Sequence, residues 1–108
     1  MSDRSRLCRA SDIARVRCEG RRVTTPFFSL LAMPGKSQTS RLAVSTPRHL
    51  GTAVKRNRMR RRLRAAFQHH LAGPEPVVDL VVHARRPSLE TDWSCIMNAV
   101  SRGLADVG

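Results

Sequence analysis

The chain has 108 residues, enough for one domain with one modest core. Hydrophobic residues make up 41% of it, so composition alone does not indicate disorder, and no run approaches the ~20 apolar residues of a membrane span. Twenty Lys and Arg oppose eight Asp and Glu, and no carboxylate occurs between Gly20 and Pro74. Because such a cation excess repels itself in a folded protein, we expect a polyanionic partner.

The N-terminus and the cysteines indicate a cytoplasmic protein. Asp3 and Arg4 are not followed by an apolar run, so the start is unlike a signal peptide. Cys8, Cys18 and Cys95 are odd in number and lack CxxC or CxxH spacing, which favours reduced thiols over a disulfide or a zinc site. The four histidines are scattered, and we expect no metal site.

The chain begins with an arm and a short helix. Residues 1–10 are polar and basic and predict an extended arm. Ser11 is typical of a helix N-cap, and Asp12 in the first turn favours the helix dipole. Gly20 is typical of a helix end.

Strand-like sequence follows the first helix. From Val23 the residues favour a strand, and the apolar run at 27–31 is closed by the turn signal Pro34–Gly35. Residues 36–40 predict a loop, and 42–46 a second strand.

The second half predicts a helix, a strand and a helix. Thr52 is a plausible N-cap for a central helix that ends at Gly73–Pro74. Residues 77–84 predict a buried strand, and 93–104 an amphipathic last helix. The order is helix, two or three strands, helix, strand, helix, which predicts an α+β layered fold. At helical spacing one face of the central helix is apolar, with Met59, Leu63, Ala66, Phe67 and Leu71.

The central helix carries seven cations in ten residues, namely Lys55, Arg56, Arg58, Arg60, Arg61, Arg62 and Arg64. A solvated charged face is the usual reason for charge on a helix, but like charges at i,i+3 and i,i+4 destabilise it, and no acid offsets them here. A nucleic acid removes that repulsion and gains counterion release. We therefore interpret this helix as the main nucleic-acid contact.

RNA is a better fit than DNA. The chain has only four aromatic residues, none among the arginines, which argues against stacking along single strands as the main mode. It shows no helix-turn-helix pair and no zinc-finger spacing. Arginine clusters suit the crowded phosphates of folded RNA.

The segment 51–67 reads GTAVKRNRMRRRLRAAF. It closely resembles the signature of the protein subunit of bacterial ribonuclease P, whose hallmark is the Arg-Asn-Arg triplet, here at 56–58, between Gly-x-Ala-Val and Arg-x-x-Phe. Further similarities follow in family order at Asp12–Ile13, at Phe27–Phe28 and at 79–85.

The resemblance implies a single RNA-binding domain over 1–108 with the order α-β-β-β-α-β-α. It implies a four-stranded sheet packed against helices, and a left-handed β-α-β crossover through the basic helix, against the usual right-handed preference. The implied function is the protein component of a ribonucleoprotein that cuts the 5′ leader from precursor tRNA. Its partners are the ribonuclease P RNA and precursor tRNA, without a membrane. Catalysis belongs to the RNA subunit and its Mg²⁺, so no catalytic residue is expected in this chain.

The resemblance also implies two binding surfaces. The RNA-binding surface comprises Arg48, Lys55, Arg56, Asn57, Arg58, Arg60, Arg61, Arg62 and Arg64. Within it we expect Arg58 and Arg62 to contact phosphates, while Arg56 and Asn57 are candidates for facing the second surface. That surface is a cleft between the first helix and the sheet, which holds the leader. It comprises Ile13, Arg17, Phe28 and Leu31. The family is commonly aromatic at positions where this chain has Ile13, Arg17 and Leu31, which leaves Phe28 as the expected aromatic residue of the cleft. The alternative is that Phe28 belongs to the core.

Two other functions are consistent with a basic α+β domain. One is a ribosome-associated or other structured-RNA-binding protein without a nuclease role. The other is a protein-only nuclease, which needs acidic metal ligands that the basic region lacks.

Overall fold

The computed structural model describes residues 7, 9–35, 40–71 and 77–107. The elements in chain order are α1 (Ala10–Glu19), β1 (Arg21–Thr24), β2 (Phe28–Pro34), β3 (Arg41–Ser45), α2 (Ala53–Leu71), β4 (Val78–Ala84) and α3 (Trp93–Val107). Short 3-10 turns at Arg48–Leu50 and Arg86–Leu89 flank α2 in sequence. The α-β-β-β-α-β-α order of one small α+β domain is confirmed.

The four strands form one mixed sheet in the order β1-β2-β4-β3. β2 is antiparallel to both of its neighbours, whereas β3 and β4 are parallel, with Leu42 opposite Leu80 and Val44 opposite Val82. A parallel pair needs a crossover connection, and α2 supplies it. The left-handedness of this crossover stays a prediction.

Helices cover both faces of the sheet. On one side, the α2/α3 face, α2 and α3 pack on Phe28, Leu30, Leu42, Leu80 and Val82. On the other side, the α1 face, a smaller apolar cluster joins Leu7, Val16, Leu31 and Val81. This split follows from the period of two in a strand, which sends neighbouring side chains to opposite faces.

The ends of α1 differ in part from the prediction. The predicted N-cap, Ser11, is wrong because the helix already begins at Ala10, after Arg9, which makes no side-chain capping bond. The chain enters from Leu7, which is buried and donates its backbone N–H to the carbonyl of Leu42 at 3.0 Å. Gly20 ends the helix as predicted, and a Cβ there would lie 2.3 Å from the Val16 carbonyl oxygen.

The strand-like stretch that begins at Val23 divides into β1 and β2. Between them the Thr25 hydroxyl accepts hydrogen bonds from the backbone N–H groups of Phe27 and Phe28, at 3.2 and 3.1 Å. This side-chain turn reverses the chain, so the run is a hairpin. Most of the predicted loop 36–40, the predicted helix end at Gly73–Pro74 and most of the arm 1–10 lie outside the described residues.

Candidate nucleic-acid interface

Helix α2 separates its apolar and cationic faces as its periodicity predicts. Met59, Leu63, Ala66 and Phe67 are completely buried against the sheet and α3. At the N-terminus the Thr52 hydroxyl accepts a hydrogen bond from the Lys55 backbone N–H at 3.3 Å, which confirms Thr52 as the N-cap. The inner face and the cap therefore hold the helix in place, with its outer side chains pointing away from the core.

Three cations of α2, the outer cations, point into solvent: Lys55, Arg58 and Arg61. None of their side chains has a hydrogen bond or ion pair with any residue in the part of the chain that the structure describes. The ion pairs found among those residues join arginines to Asp12 and Asp79 on the α1 face instead. The outer cations are thus available to an external anion, and Arg48 is exposed on the neighbouring 3-10 turn.

The other flank of α2 is half-buried and internally bonded. Arg60 donates to the Asn57 side-chain oxygen at 2.7 Å and to the Thr46 hydroxyl at 2.6 Å. Arg56 and Arg64 are also half-buried, and Asn57 is exposed. Because α2 and α1 pack on opposite faces of the sheet, Arg56 and Asn57 do not line the cleft beside α1.

Arg62 has a structural role that the sequence did not reveal. Its guanidinium donates to the carbonyl oxygens of Ser88 at 3.2 Å and Leu89 at 2.6 Å, and also to that of Thr91. The prediction that Arg62 grips a phosphate is therefore wrong, because its donors fasten the turn before α3 to α2. Only Arg58 of the predicted pair faces solvent.

A second basic cluster was missed by the sequence reasoning. Arg86 donates to the His49 carbonyl oxygen at 2.8 Å, and Arg85 donates to the Thr25 carbonyl oxygen at 3.1 Å. Both arginines are exposed and line a pocket of 340 Å³ together with His49. The signal available in the sequence was an Arg–Arg pair directly after a buried strand.

The α1 face is fastened by a buried ion-pair network. Asp79 is fully buried and accepts bonds from both Arg41 Nε and Nη2, at 3.1 and 2.9 Å, and from Arg15 Nη2 at 2.9 Å. Arg41 also approaches Asp12 at 3.4 Å. The hydrogen bonds that Arg41 donates to Asp79 raise the pKa of its guanidinium above the ordinary value. The network locks α1 onto β3 and β4, and so sets the position of one wall of the cleft.

Beyond this network, α1 leaves part of its sheet face open. Ile13 and Leu31 belong to the small apolar cluster under the helix, and Arg17 is exposed beside it. Strand register then places Ser29, His83 and Ser45 side by side across β2, β4 and β3. We call these three half-buried side chains the polar row. Burial, with the charges of Arg17 and Arg22, lowers the pKa of His83 below its ordinary value.

Phe28 is not a cleft residue. It is completely buried on the α2/α3 face, where its ring makes an edge-to-face contact with Phe67 at a centroid distance of 5.2 Å. The structure brings Ile13, Arg17 and Leu31 together on the α1 face and places Phe28 behind the sheet. The predicted aromatic member of the cleft is therefore wrong.

Other chemistry is limited in the described residues. Over 7, 9–35, 40–71 and 77–107, no three His, Cys, Asp or Glu side chains lie close enough to hold a metal ion. No helix in those ranges is long and apolar enough to cross a membrane. Cys18 and Cys95 are free, exposed thiols, and Cys8 lies outside the described part.

Fold and surface together define a small, basic α+β protein that presents a fixed cationic helix on one side and an open sheet face on the other. A model of the Ribonuclease P family matches residues 1–108, and the chain belongs to that family.

The matched part of this chain spans less than two thirds of the length of the Chloroflexus relatives and a larger share of some others. The ribonuclease P protein component of Chloroflexus aurantiacus is 38% identical over 84 residues, which span 78% of this chain and 62% of that relative. The component of Herpetosiphon aurantiacus is 32% identical over 102 residues, or 94% of this chain and 83% of the relative. The structure of the Staphylococcus aureus RNase P protein superposes with a TM-score of 0.80 at 28% identity, covering 95% of this chain and 96% of that one.

Proposed function

We propose that this chain is the protein subunit of a ribonuclease P ribonucleoprotein, which removes the 5′ leader from precursor tRNA. One observation carries the proposal beyond family membership: the outer cations stand on a rigid, capped helix without a described partner, inside the family's most characteristic segment. Phosphates are the complementary ligand, because binding them relieves repulsion within the helix and releases counterions.

The two sides of the sheet have different tasks in this proposal. The outer cations and Arg48 bind the phosphates of the ribonuclease P RNA, and Arg85 and Arg86 extend the same basic area around the N-terminal end of α2. Arg17 and the open α1 face hold the leader of the precursor tRNA. The protein aligns the two RNAs with each other, and no side chain of it acts on the scissile phosphate.

The Mg²⁺ ions of the reaction are held mainly by the RNA subunit in this proposal. The described residues provide no cluster of ligands for them. The chain's own contribution is to neutralise phosphate repulsion between the RNAs, which lowers the Mg²⁺ concentration that cleavage requires. A protein with these partners is expected to act in the cytoplasm.

Reconstitution tests the proposal. The protein is mixed with a bacterial ribonuclease P RNA and a precursor tRNA at a Mg²⁺ concentration at which the RNA alone is nearly inactive, and 5′ cleavage is measured. Stimulation is expected for the wild type and should be strongly reduced by replacing all three outer cations with Ala. No stimulation by the wild type would refute the proposal, and cleavage without the RNA subunit would indicate a protein-only nuclease.

A further inference from the structure

The side chains of the polar row are half-buried, and they are not used in holding the sheet together. Ser29, His83 and Ser45 pair through their backbones, whereas their side chains have no hydrogen-bond partner among the residues that the structure describes. Half-buried polar groups are normally bonded to protein or to water. An unpaired row on an accessible face is therefore suited to a polar ligand.

The row lies just beyond the part of the α1 face that the helix covers. Along β4, Asp79 is engaged in the ion-pair network, Val81 is buried under α1, and His83 comes next on the same face. In β2 the register places Met33 opposite Asp79, Leu31 opposite Val81 and Ser29 opposite His83. Along β4 the face thus changes from ionic to apolar to uncharged polar, and the polar end is half-buried.

Cations stand beside the row. Arg17 on α1 and Arg22 on β1 are exposed, their side chains make no bond to a described residue, and their charges lower the pKa of His83. They can hold phosphates of a strand that crosses the sheet. The charges of both arginines lower the pKa of His83, so positive charge is concentrated at this end of the face.

Phe, Tyr and Trp rings are not available on this face for stacking on bases. The chain has three Phe, one Trp and no Tyr. Phe27, Phe28 and Phe67 pack in the core of the α2/α3 face, and Trp93 begins α3 on that same side. With no Phe, Tyr or Trp ring on the α1 face, the hydroxyls and the imidazole of the polar row are the groups that can recognise unstacked bases by hydrogen bonds to their edges.

We propose that the polar row reads leader nucleotides of precursor tRNA by hydrogen bonds to base edges, with His83 as the central specificity-determining residue and Arg17 and Arg22 holding the adjacent phosphates. The inference rests on the proposed function and adds to it the side chains that discriminate between leader nucleotides. A neutral imidazole offers one donor and one acceptor, and the flanking hydroxyls can do both, so a base with the matching edge is favoured.

The test compares leader preferences of reconstituted holoenzymes. Precursor tRNAs with randomised leaders compete for cleavage, and the relative kcat/KM of each sequence is read out for the wild type, for His83→Val and for the RNA subunit alone. His83→Val keeps a β-branched side chain in the strand and removes both hydrogen-bonding atoms. His69→Ala, which removes an exposed histidine from α2, is the matched control.

The expected result is that His83→Val lowers the discrimination between best and worst bases at one or two leader positions by about fivefold, the equivalent of one hydrogen bond. Affinity for the RNA subunit and the control's preferences should stay unchanged. Retention of the full wild-type preferences by His83→Val would overturn the inference. An equal decrease in kcat/KM for every leader sequence would also overturn it, because such a decrease indicates a contact with phosphates and not with bases.

A second variant covers the case in which His83→Val does not fold. Ser29→Ala combined with Ser45→Ala removes only two hydroxyls and should weaken the same leader preferences, whereas unchanged preferences would again overturn the inference. Failure of the proposed function is distinguishable, because the wild-type protein would then not stimulate cleavage at all.

Discussion

Replacing Arg58 and Arg61 with Ala should reduce the salt dependence of binding to the ribonuclease P RNA. Both guanidiniums are exposed and have no described partner, so each is expected to neutralise one phosphate when the RNA binds. Each lost contact lowers the slope of log K against log salt by about 0.7 to 0.9, so the double variant should lose about 1.4 to 1.8. The folding stability of the double variant should be unchanged or slightly higher, because it removes repulsion between cations that lie three or four residues apart on α2.

The assay is a filter-binding or fluorescence titration at several salt concentrations, with two comparison variants. Arg102→Ala removes an exposed cation from α3 and should leave the slope unchanged. Arg62→Ala removes the bonds to the turn before α3 and should lower the free energy of unfolding by about 1–3 kcal/mol without changing the slope. If Arg62→Ala reduces the slope as much as Arg58→Ala, the division of α2 into outer and structural arginines is wrong.

Further predictions concern stability. Asp79→Ala should lower the free energy of unfolding, measured by urea denaturation, by about 3–5 kcal/mol, because it leaves Arg41 and Arg15 half-buried without this partner. A loss below about 1 kcal/mol would show that the network contributes little to stability. Phe28→Ala should lower the free energy of unfolding by about 3–5 kcal/mol and leave the leader preferences of the folded protein unchanged. Altered leader preferences would show that Phe28 contacts the leader. Because the pKa of His83 is lowered in the folded state, the unfolded chain binds this proton more tightly, and stability should fall as the pH drops from about 6.5 through the folded-state pKa. His83→Asn should remove this part of the pH dependence of Tm. A variant whose Tm changes with pH as the wild type's does would contradict this prediction.

The sequence was sufficient for properties that depend on local periodicity. The spacing of Met59, Leu63, Ala66 and Phe67 predicted the inner face of α2, and Thr52 was correctly identified as its N-cap. Helical spacing also places the outer cations opposite that face, but it groups Arg62 with them, and the structure separates Arg62 from that group.

Contacts between distant segments could not be predicted in this way. Arg62 meets carbonyl groups 26 to 29 residues further along the chain, and Asp79 meets Arg41 and Arg15 at separations of 38 and 64 residues. No local pattern records such pairs. Phe28 is a different kind of error, because the period of two in a strand puts positions 28 and 31 on opposite faces, so both could not line one cleft.

The central claim is that opposite sides of this domain contact two different RNAs. The most direct measurement attaches a photo-crosslinker to a single cysteine, placed at Arg61 or at Ser45 in a chain whose own three cysteines are replaced, and maps the crosslinks in the holoenzyme bound to precursor tRNA. We expect crosslinks from position 61 to the ribonuclease P RNA and from position 45 to the 5′ leader. Crosslinks from both positions to the same RNA, or from position 45 to the body of the tRNA alone, would contradict the account.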